Sequence, residues 1–106
     1  MVPEISVEAL AARIDQADRP FLVDVREGEE LDICALAFDL HIPLGSLPAR
    51  ASEIPQDREV VIYCRSGGRS GQATAFLLSQ GWTTVSNLEG GVLAWGQRVD
   101  PLMPAY

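Results

Sequence analysis

The chain has 106 residues, 47% of them hydrophobic, and 15 acidic against 8 basic side chains give it a formal net charge of −7. This length predicts a single domain, residues 1–106, with enough apolar side chains to bury a core. The negative charge excludes duplex nucleic acid and anionic membranes as favourable partners, and two cysteines are too few for a disulfide scaffold.

The first part of the chain predicts a helix, a strand and a second helical segment. Ser6 can cap a helix whose apolar stripe runs over residues 7–14. After Pro20, the apolar run 21–25 predicts a strand, and the acidic stretch 27–33 predicts one or two helical turns.

The middle of the chain is less regular. Residues 34–40 carry no clear pattern, and 41–45 predict a brief extended segment because Pro43 disfavours helix at the residue before it. Residues 46–54 predict a short helix that ends at Pro55.

The last part alternates strands and helices again. Strands are predicted at 59–63 and 83–87, and helices from about Ser70 to a left-handed cap at Gly81 and over 92–99. The three clearest strands are short apolar runs of the kind that are buried on both faces. The sequence therefore predicts an α/β fold of three layers, with a central parallel sheet and helices on both faces.

Cys64 lies at the end of the predicted strand 59–63, where ligands bind in sheets of this kind. A glycine-bearing loop with two arginines follows it and leads into a helix. Converging backbone N–H groups and the helix N-terminus lower the pKa of a thiol placed there. We therefore predict that Cys64 is a nucleophile, although a lone cysteine is often only a small buried hydrophobe.

Four segments, in this order, carry a family likeness: Asp24–Glu27, His41–Gly45, the loop that begins at Cys64, and Leu88–Trp95. Together they resemble the motifs of single-domain rhodaneses, which are sulfurtransferases, and the likeness extends from about residue 5 to residue 99. The resemblance implies the rhodanese-like version of the predicted fold.

A closer likeness involves Glu30–Cys34 and the tail Val99–Tyr106. Both are similar to rhodanese domains fused behind the ubiquitin-activating-like enzymes of molybdopterin and thiocarboxylate synthesis. This likeness implies that a sulfur-carrier protein or an adenylating enzyme is a partner.

The resemblance implies a double displacement with no cofactor and no metal. Cys64 takes the outer sulfur of an anionic donor such as thiosulfate, becomes a persulfide, and passes that sulfur to cyanide, a thiol or a carrier protein. The catalytic residue is then Cys64, and the substrate-binding residues are those of the loop: Arg65, Ser66, Gly67, Gly68, Arg69 and Ser70.

Within that loop, the amides of residues 65–69 are the expected cradle for the sulfur. Arg65 and Arg69 are expected to attract the donor, although they are alternatively solvent-exposed solubility charges. Ser66 and Ser70 are expected to donate hydroxyl hydrogen bonds, and Ser70 is alternatively only a helix cap.

The sequence leaves three alternative functions open. One alternative is a cysteine-based phosphatase or arsenate reductase. These enzymes resemble one another in a Cys-x5-Arg loop, in which five residues separate the cysteine from the arginine, whereas only four residues separate Cys64 from Arg69. A rhodanese-like module that docks sulfur-relay partners with little turnover is the other rival. A cysteine–histidine hydrolase requires His41 beside Cys64, whereas a structural histidine near the sheet edge is the simpler interpretation.

Two further residues have a chemical and a structural interpretation. Asp24 either orients the active-site loop or caps the end of its strand, and Cys34 either resolves an oxidised Cys64 or packs as a small hydrophobe. We favour the structural interpretation of each. The N-terminus has no signal-peptide pattern, so we expect a cytoplasmic protein, and a monomer is the expectation for so small an acidic domain.

Overall fold

The computed structural model, which describes residues 2–106, contains one five-stranded sheet. Its strands are β1 (Glu4–Ile5), β2 (Phe21–Asp24), β3 (Leu40–His41), β4 (Val60–Tyr63) and β5 (Val85–Leu88). They lie in the order β1-β5-β4-β2-β3, and every neighbouring pair is parallel. The predicted parallel sheet is thus confirmed, with β4 at its centre.

The helices are α1 (Val7–Ala11), α2 (Gly28–Leu31), α3 (Leu47–Arg50), α4 (Gly68–Ser79) and α5 (Gly91–Arg98). Short 3₁₀ turns flank α3 at Leu44–Ser46 and Ala51–Glu53. Within residues 2–106, no helix has the length and apolar character needed to cross a membrane.

Alternating side chains of the central strand build two separate cores. Val60 and Ile62 point with Cys64 into one core, and Val61 and Tyr63 point into the other. Helices α3 and α4 cover the first face, whereas α1 and α5 cover the second. Because both faces are buried, β4 is apolar throughout, and the predicted three-layer arrangement is confirmed.

Two predicted helix-capping residues, Ser6 and Gly81, are confirmed. The Ser6 Oγ accepts a hydrogen bond of 3.1 Å from the Ala9 N–H and caps α1. Gly81, which follows α4, has a φ of +108°, a left-handed conformation that glycine adopts without steric cost.

Several predicted boundaries were wrong. Helix α4 begins at Gly68 instead of Ser70, because Gly67 takes a φ of +107° and becomes its N-cap. The helix expected over 46–54 is broken after Arg50, and the strand expected over 83–87 lies at Val85–Leu88. Strand β1 was not predicted, since two residues carry no periodicity.

The carboxyl ends of β2, β4 and β5 meet at one edge of the sheet, since the three strands are parallel neighbours. The segments that follow them are the turn into α2, the loop into α4 and the turn into α5. Cys64 lies in the middle one of these three connections.

Candidate active site

Cys64 is the first residue after β4, and the chain turns at Gly67 to enter α4. This turn points backbone amides back at the sulfur. The Sγ of Cys64 accepts hydrogen bonds from the N–H groups of Gly67 (3.1 Å) and Ser70 (3.4 Å), and the Ser70 Oγ lies 3.2 Å away. The sulfur therefore lies against the first turn of α4, where the helix dipole favours negative charge.

The surroundings of Cys64 act on its pKa in opposite directions. Burial, which leaves 1% of the residue exposed, raises the pKa of the thiol. Hydrogen bonds from the Ser70 hydroxyl and from the amides of Ser70, Gly67 and Ser66 lower it by more, so the thiol pKa is below its ordinary value. The lowered pKa expected from the sequence agrees with this arrangement. The Ser70 amide extends the cradle one residue beyond the expected range of 65–69.

The opposite side of the loop is fixed by α5. The carbonyl oxygens of Cys64 and Arg65 accept hydrogen bonds of 3.0 Å each from the N–H groups of Val92 and Leu93. These are first-turn amides of α5, which have no partner within the helix. The strand end that carries the sulfur is thereby clamped between two helix N-termini.

Arg69 is paired with a carboxylate. It donates two hydrogen bonds to Glu30 of α2, of 2.7 and 2.9 Å. The Arg69 guanidinium, together with a hydrogen bond from Tyr106, holds the pKa of Glu30 at about 2 against the cost of burial. Glu30 is consequently ionised near neutral pH, and the charge of Arg69 is neutralised within the chain.

Arg65 contacts the other end of the described chain. Its guanidinium donates to the main-chain oxygen of Tyr106 and lies over the Tyr106 ring, 5.1 Å from the centroid. The Tyr106 hydroxyl donates to Glu30 (2.7 Å) and accepts from Arg26 (2.8 Å). Tyr106 thus connects both loop arginines to the turn before α2.

A buried ion pair lies at the end of β2. Arg26 donates from Nη2 to Asp24 Oδ2 at 2.8 Å, and both side chains are 0% exposed. Asp24 also accepts the Arg26 N–H (2.8 Å), and Arg26 donates to the Cys34 carbonyl (2.7 Å). Asp24 acts as the cap at the end of its strand, which agrees with the structural interpretation.

Asn87 of β5 was not predicted as a site residue, although its side chain contacts the Cys64 loop at Gly67 and Ser70. It is 3% exposed, its Oδ1 lies 2.5 Å from the Ser70 Oγ, and its Nδ2 donates to the Gly67 carbonyl at 3.2 Å and to Glu4 at 3.1 Å. An amide two residues after the apolar Val85, and so on the same face of the strand, was the available signal, because a buried polar group requires partners.

His41 and Cys34 take the structural roles favoured above. His41 lies on the edge strand β3, and its Nε2 is 2.7 Å from the Arg26 carbonyl. Cys34 packs in the core on the α1 and α5 side of the sheet, with its Sγ 3.9 Å from an Arg26 nitrogen. Within residues 2–106, histidine, cysteine and acidic side chains form no cluster of three that could hold a metal ion.

Comparisons with known proteins agree on one family. The sequence model described as Rhodanese-like domain matches residues 6–98. A protein of Allochromatium vinosum named Sulfurtransferase is 45% identical over 103 residues, which cover 97% of this chain and 96% of that protein. The Adenylyltransferase and sulfurtransferase uba4 of Ogataea parapolymorpha is 33% identical over 96% of this chain, which spans 25% of that protein.

A solved structure shares the architecture. The rhodanese-related protein from Thermoplasma volcanium superposes with a TM-score of 0.79 at 27% identity, over 92% of this chain and 93% of that one. The predicted fold family is therefore confirmed by sequence and by structure.

Proposed function

This chain belongs to the family of rhodanese-like sulfurtransferase domains, and we propose that it transfers a sulfane sulfur through a persulfide on Cys64. One observation carries the proposal. Two amides and one hydroxyl, from Gly67 and Ser70, converge on the Cys64 sulfur at 3.1–3.4 Å. Such a site favours an anion on sulfur and needs no side-chain base.

The first half-reaction is a displacement at sulfur. The Cys64 thiolate attacks the outer sulfur of thiosulfate, a new sulfur–sulfur bond forms, and the bond between the outer and inner sulfur breaks. The electron pair of the broken bond leaves with sulfite. The outer sulfur keeps the negative charge that it carried in thiosulfate, so the persulfide is an anion held next to the Gly67 and Ser70 donors that contact the Cys64 sulfur.

The second half-reaction repeats this exchange in reverse. A nucleophile, which is cyanide in an assay and a thiolate or a carrier protein in the cell, attacks the outer sulfur of the Cys64 persulfide. The sulfur moves to the acceptor, and the bonding electron pair returns to Cys64 as a thiolate. No net oxidation occurs, so the cycle needs no cofactor.

The loop arginines attract the anionic donor in this proposal. Because Arg69 is held by Glu30 and Arg65 by Tyr106, a dianion has to compete with these partners. Glu30 is 13% exposed and remains ionised at neutral pH. We infer that Glu30 limits the rate at which a dianionic donor is captured.

The substitution Glu30→Gln should therefore accelerate capture of thiosulfate by about three- to tenfold, since it removes a repelling charge and releases Arg69. Stopped-flow or quench measurements of Cys64 persulfide formation check this. Glu53→Gln is the matched control, because it also removes one carboxylate from a surface ion pair, with Arg50, outside the loop. Equal rates in Glu30→Gln and the parent would contradict this role of Glu30.

A protein partner in sulfur relay is part of the proposal. It is supported by the similarity to the protein named adenylyltransferase and sulfurtransferase, of which this chain spans a quarter. It is also supported by Tyr106, which contacts Arg65 and Glu30 beside the loop, where a partner that receives the sulfur would bind. The acceptor is then a sulfur-carrier protein or its adenylating enzyme.

The burial of Cys64 favours a second candidate, a module that docks sulfur-relay partners with little turnover. Only 1% of the residue is exposed, which leaves little sulfur surface for a small donor to reach. A phosphatase is a weaker alternative. Its transferred group has three oxygens that require more amide donors than one sulfur does, and Arg69 points to Glu30.

Mass spectrometry of the protein after thiosulfate treatment tests the proposal. We expect Cys64 to gain the mass of one sulfur atom, and cyanide to remove it as thiocyanate. Cys64→Ala should gain none, whereas Cys34→Ala should behave as the parent does. No gain with thiosulfate or with a persulfidated protein donor would support docking, and turnover of para-nitrophenyl phosphate alone would support phosphatase chemistry.

A further inference from the structure

The Ser70 hydroxyl has one proton and two acceptors. Its Oγ lies 3.2 Å from the Cys64 sulfur and 2.5 Å from the Asn87 Oδ1. A serine hydroxyl donates only one hydrogen bond at a time. Two oxygens at 2.5 Å require a proton between them, so in this arrangement the proton is directed at Asn87 and away from the sulfur.

The Asn87 amide cannot turn to relieve this competition. Its Nδ2 donates to the Gly67 carbonyl at 3.2 Å and to the Glu4 carboxylate at 3.1 Å. A flipped amide would place Oδ1 against these two oxygens, which repel it, and would remove the Nδ2 donor from both, although the Gly67 carbonyl would keep its 2.9 Å hydrogen bond from the Gly71 N–H. Glu4 and the Gly67 carbonyl therefore hold Oδ1 against Ser70.

We propose that Asn87 is a positioning residue that competes with the Cys64 sulfur for the Ser70 proton. The proposal deepens the proposed function, on which it rests only in taking Cys64 as the reactive thiol. In the thiol state, the Cys64 S–H donates to the Ser70 Oγ, and Ser70 donates to Asn87. When Cys64 loses its proton to solvent, the Ser70 hydroxyl rotates to the sulfur, and Asn87 Oδ1 loses its donor.

This competition has a chemical consequence for sulfur transfer. A buried carbonyl without a donor is unfavourable, so Asn87 raises the cost of the thiolate. The resting enzyme is then less prone to attack unintended electrophiles, whereas an arriving donor still meets the two amide donors. No heavy atom has to move, since only the Ser70 hydroxyl rotates about its Cβ–Oγ bond.

Other charged and titratable groups lie on the elements near the Cys64 loop, and none of them is substituted in the variants used below. They are the Arg69–Glu30 pair, Arg65 with Tyr106, the Asp24–Arg26 pair and Tyr63 on the β2 and β4 side, and Glu4 and Glu89 on the β1 and β5 side. Glu4 accepts a hydrogen bond from Asn87, so an effect of Asn87→Ala through Glu4 has to be separated from the Ser70 contact, and the Ser70→Ala background used below does this.

The test is the pH profile of Cys64 alkylation by iodoacetamide, read on the Cys64 peptide by mass spectrometry. Asn87→Ala should lower the Cys64 pKa by about one unit, because the Ser70 proton is released to the sulfur. Well below the pKa, alkylation should then rise about threefold, since a tenfold gain in thiolate is partly offset by lower nucleophilicity. Ser70→Ala should shift the pKa upward.

The double variant separates positioning from simple packing. If Asn87 acts through Ser70, Asn87→Ala should have no effect on the profile in the Ser70→Ala background. An equal downward shift in both backgrounds, or an upward shift in Asn87→Ala alone, would overturn the proposal.

A second measurement needs no variant at Asn87. The NMR shift of the Asn87 side-chain carbonyl carbon should titrate in the parent protein together with Cys64, and it should be flat in Cys64→Ala. A flat shift in the parent would overturn the proposal. Neither measurement uses a sulfur donor, so a failed transfer assay and a failed positioning role are distinguishable.

Discussion

Asp24→Ala should lower the free energy of unfolding by about 3–5 kcal/mol, which is the usual cost of leaving a buried charge without its partner. Arg26 is 0% exposed and donates to Asp24 from its backbone N–H, Nε and Nη2. After the substitution, the Cys34 carbonyl and Tyr106 hydroxyl still accept from Arg26, but no anion balances it.

Urea unfolding followed by circular dichroism measures this loss. Glu59→Ala is the matched control, because it removes a carboxylate whose partner Arg13 is partly exposed, and such a pair is worth about 0–1 kcal/mol. The double variant Asp24→Ala/Arg26→Met should be more stable than Asp24→Ala, since it also removes the unpaired charge. A single variant as stable as the control would show that the buried pair contributes little.

Gly91→Ala should displace the loop that carries the sulfur. Gly91 has a φ of +56°, and an added Cβ would lie 2.6 Å from the Arg65 carbonyl oxygen and also in clash with the Cys64 oxygen. Both atoms are backbone and cannot move alone. Left-handed strain and overpacking together should lower the free energy of unfolding by about 3 kcal/mol or more.

Gly91→Ala should also slow persulfide formation by more than its loss of stability explains. The same two carbonyls accept the hydrogen bonds that attach the loop to α5, so their displacement moves Cys64. We expect persulfide formation by the folded fraction to fall at least tenfold, measured at a temperature where circular dichroism shows Gly91→Ala to be folded.

Gly68→Ala provides the control within the same loop. No atom lies within 4 Å of the Cβ that this substitution would add, and Gly68 is the first residue of α4. Its stability should change by less than about 1 kcal/mol, and persulfide formation should fall by less than in Gly91→Ala. If the two alanine variants were equally impaired, the clash at Gly91 would not explain the effect.

The surroundings of Cys64 were predictable because their signals are local. The strand before Cys64, the glycine turn and the following helix are adjacent in sequence, and the amide cradle follows from their geometry. The errors in the helix start at Gly68 and in the broken helix after Arg50 also have local causes. Left-handed glycine and 3₁₀ turns are decided by one or two dihedral angles, which the apolar pattern does not report.

The partners of the loop were not predictable in the same way. Glu30, Asn87 and Tyr106 lie 34 residues before, 23 after and 42 after Cys64 in the sequence, and only the folded chain brings them to the loop. The two-residue strand β1, which carries Glu4, is equally invisible to periodicity because it is defined by its pairing with β5.

The Cys64 sulfur and the charged groups near its loop belong to different parts of the molecule. Cys64, Ser70 and Asn87 are fixed by the central sheet and α4, whereas Glu30 and Tyr106 come from a short helix and a tail at the periphery. If the proposed function holds, donor preference can change through substitutions in the peripheral segments while Cys64 and its donors stay the same.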